Sequence, residues 1–304
     1  MAVPSKILST LSTILCLFTA LPAALAQAPL CERLFVTPSA QFKSDIKGRL
    51  SPQVYEDVLF RVDQLLESLG PLPKGYQVTL KNHYGQGAKH IFGSRQIEFT
   101  EIHTTYQKFT GREDPHLTLP ILAHEYSHAY FETAMRKLSP LWEKNSSFLD
   151  MPFGDPQLKK DIATKISVYH EFFADLVPAI LFNNPRAMVE ALQFHESSPP
   201  LQTIKFRDWS VYDPSRDLAH LKEIFQTQNS DISYIYLTPL RRSLWNEVSK
   251  LHSHDDLKGF LQKVVETFAH DYQQRADSGS FSFTRMNTEL EQAFQRKALH
   301  WTDN

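Results

Sequence analysis

Between residues 51 and 70, SPQVYEDVLFRVDQLLESLG places Val54, Val58, Leu59, Val62, Leu65, Leu66 and Leu69 three and four positions apart. That period predicts an amphipathic helix, opened by Ser51-Pro52 and closed by Gly70. The pattern then shortens. YQVTLKNHY (76–84) is β-rich and loosely alternating, GQG (85–87) reads as a loop, and HIFGSRQIEFTEI (90–102) predicts a strand pair around Gly93-Ser94. From residue 117 the helical period returns. LTLPILAHEYSHAYFETAMRKL (117–138) is one helix, with Thr118 and Pro120 near its start, and PQLKKDIATKISVYHEFFADLVPAILF (156–182) is a longer one ended by Asn183-Asn184-Pro185. Shorter helices are predicted near 185–194, 215–227, 239–251, 255–274 and 286–298. Strands early and helices late predict an α+β fold: a sheet-containing lobe over 27–140 that includes the helix at 117–138, followed by a helical lobe over 141–304.

The first 26 residues follow a different rule. One lysine precedes the apolar run ILSTLSTILCLFTALPA, and Ala24-Leu25-Ala26 supplies small residues before Gln27. This is the pattern of a cleaved signal peptide and predicts export to a periplasmic or extracellular space. The same stretch, if retained, would be a membrane anchor; Pro22 and the small residues favour cleavage. Cleavage removes Cys16 and leaves Cys31, so the mature chain has no internal disulfide to rely on. No later run is long and apolar enough to span a bilayer. With 32 basic against 34 acidic residues, the net charge of −2 shows no basic excess, which argues against a nucleic-acid partner. Asn145-Ser146-Ser147 is a glycosylation sequon, relevant only where secreted chains are glycosylated.

The chemistry concentrates in HEYSHAYFE (124–132). Two histidines four apart on a helix point the same way, so His124 and His128 can share one zinc ion. Glu125, one residue along, cannot join them as a ligand, but it can reach a water molecule beside the ion and take its proton as general base. A chance match to this five-residue pattern occurs in on the order of a few per cent of such chains, but apolar neighbours on both sides predict a buried helix, and a buried helix rarely carries two histidines and a glutamate without use for them. Two neighbouring residues in VYHEFFADLV, His170 and Glu171, are candidates for a third ligand. Glu171 has Asp175 four residues later on the same face, where a carboxylate can accept the free ring N–H of a ligating histidine.

HEYSH followed by EFFAD (171–175) resembles the gluzincin group of zinc metallopeptidases, and in particular the branch whose third-ligand helix reads ExxAD. The resemblance covers roughly residues 117–182. It implies a zincin-like lobe, a small twisted sheet with the HExxH helix against it. It implies one zinc per chain held by His124, His128 and Glu171, with Glu125 as the catalytic base and Asp175 orienting His124. It also implies an edge strand that pairs with extended substrate, for which RQIEFTEI (95–102) is the candidate, with an ordinary core strand as the equal alternative. A side chain that stabilises an oxyanion is expected downstream; Tyr234, Tyr236, Arg241, Arg242, His254 and His270 are the candidates. The function expected is an exported zinc metallopeptidase acting on a peptide or protein substrate. Two alternatives remain: a zinc hydrolase of a non-peptide amide, and a non-catalytic zinc-containing binding or assembly factor.

Overall fold

A computed structural model describes residues 39–44, 50–81, 89–91, 95–99, 115–192, 205–210, 233, 236–279, 281 and 283–298. The chain divides into two compact units, and all of these residues belong to the second, Val36–Asn304. The apolar N-terminal segment, Cys31, the 85–87 loop, the Gly93-Ser94 turn and the helix expected over 215–227 lie outside the described residues.

The elements run β1 (Gln41–Ser44), α1 (Pro52–Leu65), β2 (Gln77–Leu80), β3 (Lys89–Ile91), β4 (Gln96–Phe99), α2 (Thr118–Leu138), α3 (Pro140–Asp150), α4 (Pro156–Leu181), α5 (Ala187–Leu192), α6 (Thr238–Val248), α7 (His254–Ser278) and α8 (Phe283–Ala298). The fold is α+β, predominantly helical with one small sheet. No helix among the described residues is long and apolar enough to cross a membrane.

Strand order in the sheet is β1-β2-β4-β3, with β1, β2 and β4 parallel and β3 antiparallel to β4. The alternation seen in the sequence puts Val78, Leu80, Ile97 and Phe99 on one buried face. Against that face α1 sets Tyr55, whose ring stacks on Phe42 at 5.2 Å and meets Phe99 edge-on at 5.5 Å. A short 3-10 turn, Glu67–Leu69, follows α1 and ends at Gly70, whose φ of +89° a side chain would resist. The strand pair at 90–102 forms as β3 and β4, but β4 is not an edge. Ile97 pairs with Val78 on one side and with His90 on the other, so β4 is an interior strand. Among the described residues the edge on that side of the sheet is β3, so of the two readings open for residues 95–102 the ordinary interior strand holds and the free substrate-pairing edge does not.

The hub of the molecule is α2. It packs most extensively against α4 and also touches α1, α3, α5, α7 and the β3–β4 side of the sheet. Every residue from Thr118 to Met135 except Thr133 is buried. Aromatic rings fill the junction of α2, α3, α4 and α7: Phe131 stacks on Phe173 at 4.8 Å, Trp142 meets Tyr272 at 4.7 Å, and Tyr169 meets Phe268 at 5.2 Å. The sequence pattern did not reveal α3. Its signal is the Ser139-Pro140 start, where the Ser139 hydroxyl accepts from the Trp142 backbone N–H at 3.2 Å and proline fills the first helical position.

On its α1 side, α2 is fastened by one carboxylate. Asp63 Oδ1 accepts from the Tyr126 hydroxyl at 2.7 Å and the Tyr130 hydroxyl at 2.6 Å, while its Oδ2 accepts from the Ser39 backbone N–H at 2.6 Å. Burial and the Asp63 charge push both phenols well above their ordinary pKa, so they stay donors. Asp63→Ala strands two buried hydroxyls and is expected to cost roughly 2–4 kcal/mol of folding stability, read from the urea midpoint. A midpoint equal to that of the wild type would contradict this role.

Candidate metal centre

Residues 124–128 fall in the middle of α2, where the i,i+4 spacing brings the His124 and His128 rings together edge to face at 4.7 Å. Opposite them α4 presents Glu171, one turn before Asp175. The His124 and His128 Nε2 atoms lie 3.2 Å apart. Glu171 Oε2 lies 3.2 Å from the first and 3.8 Å from the second. An ion bound tetrahedrally at about 2.0–2.2 Å separates its ligand atoms by roughly 3.3–3.6 Å. The three atoms thus form nearly one face of such a tetrahedron, and the group can bind a metal ion. A second observation agrees with that fit: Glu171 Oε2 is buried and faces His124 at 3.2 Å, where a carboxylate oxygen needs a cationic partner, the protonated ring or a metal ion. Glu125 is on the same turn and buried. Glu171, with 15% of its side chain exposed, is the most accessible of the three.

Asp175 is fully buried, and its carboxylate is shared by three groups. Oδ1 lies 3.0 Å from His124 Nδ1, Oδ2 lies 2.8 Å from Arg241 Nη1, and Arg207 Nε donates at 3.0 Å. Burial alone would raise the Asp175 pKa. The Arg207 and Arg241 charges and the His124 ring outweigh it and hold the carboxyl well below the usual range. For His124 the balance is similar. Burial pulls its pKa down, but the carboxylates of Asp175 and Glu171 prevail over burial and over Arg207, lifting it to about 9 in the ion-free chain. A metal ion therefore competes with a proton for this ring.

His170 is not beside Glu171 in space as it is in sequence. Its ring lies behind His128, Nδ1 to Nδ1 at 3.1 Å, and its Nε2 meets Glu132 Oε2 at 2.8 Å. Glu132 is also held by the Trp142 indole at 2.8 Å and by Arg136 Nε at 2.5 Å. Burial raises the Glu132 pKa, but His170, Arg136 and Trp142 bring it down to about 2.

The downstream candidates scatter. Tyr234 lies outside the described residues. Tyr236 is buried, with its carbonyl bonded to Asn287 Nδ2. Arg242 donates to the Ser210 carbonyl, and His254 is the first residue of α7. His270 faces solvent in a surface groove with Asp271, Arg275 and Arg285. Of the described candidates Arg241 alone joins the cluster, and there it serves Asp175, its guanidinium held 5.1 Å over Phe172 and 5.0 Å over Trp209. Arg207 and Glu132 were not anticipated from sequence. Glu132 had a legible signal, because 124, 128, 132 and 136 form one i,i+4 stripe of His, His, Glu and Arg. Arg207 had none, being brought in by the short 3-10 turn Lys205–Arg207.

Asp175→Ala leaves two buried guanidiniums and His124 without their shared acceptor. It should destabilise the metal-free fold by about 3–5 kcal/mol and weaken metal binding, and Asp175→Asn should recover only part, because the amide keeps an acceptor oxygen but not the charge. Thermal denaturation with and without metal measures both; a wild-type melting curve for Asp175→Ala would refute the assignment.

Glu132 also gives the metal-free protein a distinct acid lability. Its folded pKa is depressed from 4.5 to about 2, so its contribution, about 3 kcal/mol, is complete above pH 4.5 and disappears as the pH falls toward 2. Stability measured from pH 5 to 2 should fall less steeply in Glu132→Gln, which has no proton to take up. Parallel curves for the two proteins would exclude Glu132 as the source.

Compared with models of protein families, with curated proteins and with solved structures, the chain shows no match, so the reading of the site rests on its residues and their geometry.

Proposed function

We propose that the chain is an exported zinc metallopeptidase of gluzincin type, in which α1, α2 and the sheet form the zincin-like lobe. The observation that carries this reading is the convergence of His124 Nε2, His128 Nε2 and Glu171 Oε2 at 3.2–3.8 Å inside the protein, with a glutamate on the same turn. Two imidazoles and a carboxylate are a donor set suited to zinc with one position left open. Zinc held by these three residues would supply Lewis acidity toward a water molecule and a carbonyl oxygen.

The protein's own part is proton handling and orientation. Glu125, next to His124 on α2 and buried, is the group that takes a proton from the attacking water and passes it to the departing amine. Asp175 holds the Nδ1 proton of His124, which leaves Nε2 with its lone pair toward the ion. Arg207 and Arg241 hold Asp175 ionised so that it remains an acceptor. The signal-like pattern of residues 1–26 supports a substrate outside the cytoplasm, and the near-neutral net charge of −2 is consistent with a peptide rather than a nucleic acid.

Purified protein should contain about one equivalent of zinc per chain by elemental analysis. It should digest an unbiased peptide library, and Glu125→Gln should keep the zinc while losing about 10²–10⁴-fold in hydrolysis. Glu125→Gln cleaving as fast as the wild type removes the general base from this scheme. Turnover of simple amides with no peptide cleavage redirects the substrate class, and full zinc with no turnover of either favours the binding-factor alternative.

A further inference from the structure

His124 and His128 are anchored in different ways. The outer nitrogen of His124 meets a carboxylate directly. The outer nitrogen of His128 meets another imidazole, His170, at 3.1 Å, and a carboxylate lies only one ring further on. We infer that Glu132 and His170 are positioning residues that fix the tautomer of His128, so that it presents the lone pair of Nε2 to the metal. The inference rests on the metal reading of the cluster, but the proton order it requires can be argued from the donors alone.

The order starts at Glu132. The Trp142 indole N–H and the Arg136 guanidinium can only donate, and each donates to a different oxygen of Glu132. Both oxygens are therefore acceptors. His170 Nε2, 2.8 Å from Oε2, must supply the hydrogen in that contact. Where His170 is neutral, its proton on Nε2 leaves a lone pair on Nδ1. The facing Nδ1 of His128 must then carry the hydrogen that fills the 3.1 Å contact. A neutral imidazole with Nδ1 protonated has its lone pair on Nε2, which is the atom that faces His124 and Glu171. The reverse order, with Nδ1–H on His170, would put the His128 proton on Nε2 and turn a donor hydrogen toward the ion.

The packing is built to keep His170 in place. Its side chain is buried, 5.0 Å from the Phe131 ring and 5.4 Å from Trp142. Phe131 and Glu132 come from α2, Trp142 from α3 and His170 from α4, so three helices must assemble before the relay exists. Trp142 serves twice, as a wall for the His170 ring and as a donor to Glu132. Since Glu132 follows His128 by four residues on α2, the relay leaves the metal stripe at His128, crosses to α4 at His170, and returns to the same stripe.

Two measurements test the inference. The first uses metal-free wild-type protein labelled with ¹⁵N-histidine at pH 8. Nitrogen spectra should show His128 with its hydrogen on Nδ1 and His170 with its hydrogen on Nε2. The second is zinc affinity by chelator competition. His170→Phe keeps a ring between Phe131 and Trp142 but accepts no hydrogen bond, and it should weaken zinc binding by about 10–100-fold. Glu132→Leu should do the same. Glu132→Gln, whose amide oxygen can still accept from His170, should stay within a few-fold of the wild type, a rescue that a purely space-filling role would not give. An Nε2–H tautomer for His128, or wild-type affinity in both His170→Phe and Glu132→Leu, overturns the inference. If His170→Phe does not fold, the Glu132 pair and the wild-type spectrum decide. If wild-type protein binds no zinc, the metal reading fails, while the tautomer measurement still upholds or overturns the relay.

Discussion

The structure depends on one constraint: α2 is buried on nearly every side and yet carries His124, Glu125, His128 and Glu132. A helix in that position has no water to satisfy its polar side chains, so the protein must supply the partners. Three neighbours of α2 can be read as an answer to that demand. Asp63 on α1 takes the tyrosine hydroxyls, α3 contributes Trp142 to Glu132, and α4 contributes Glu171, Asp175 and His170. Packing and chemistry are therefore not separable here. Helices α1, α3 and α4 both bury α2 and complete its polar groups.

The answer uses charge in two compensated blocks on either side of the histidine pair. Behind His124 lies Asp175 with Arg207 and Arg241; behind His128 lies His170 with Glu132 and Arg136. In each block a buried carboxylate is held ionised by groups that can only donate, and the carboxylate in turn orders the protons on the ring or rings in front of it. Breaking either block leaves an uncompensated charge in a low-dielectric interior, which costs far more than an exposed ion pair of the same geometry contributes. Between the blocks His124, His128 and Glu171 converge, and the three can hold a metal ion.

The sheet shows where local pattern is a poor guide. Residues 77–80 and 96–99 have the alternation of half-buried strands and form them. Nothing in that alternation says which strand lies at an edge, because edge or centre is a property of neighbours. β1, with the short segment QFKS, has almost no pattern of its own and exists because it pairs with β2 in parallel register. α3 escaped notice for a related reason. Only eleven residues long, with few apolar positions, it is held by the Trp142 ring and the Ser139 cap more than by its period.

The sequence by itself determined the α+β class, the courses of α1, α2 and α4, and the pairing of His124 with His128. Those features follow from spacing along one chain: apolar residues at helical period, proline and glycine at the ends, and two imidazoles one turn apart. The tertiary structure alone decided which nitrogen of each histidine faces inward, that His170 stands behind His128 rather than beside Glu171, and that Arg207, thirty-two residues beyond Asp175, closes on its carboxylate. It also set β4 inside the sheet and turned Arg241 toward Asp175. Those outcomes depend on how separate elements meet and on where a buried charge finds its partner. No local pattern encodes that, because the energy that fixes it arises only once water has been excluded from between them.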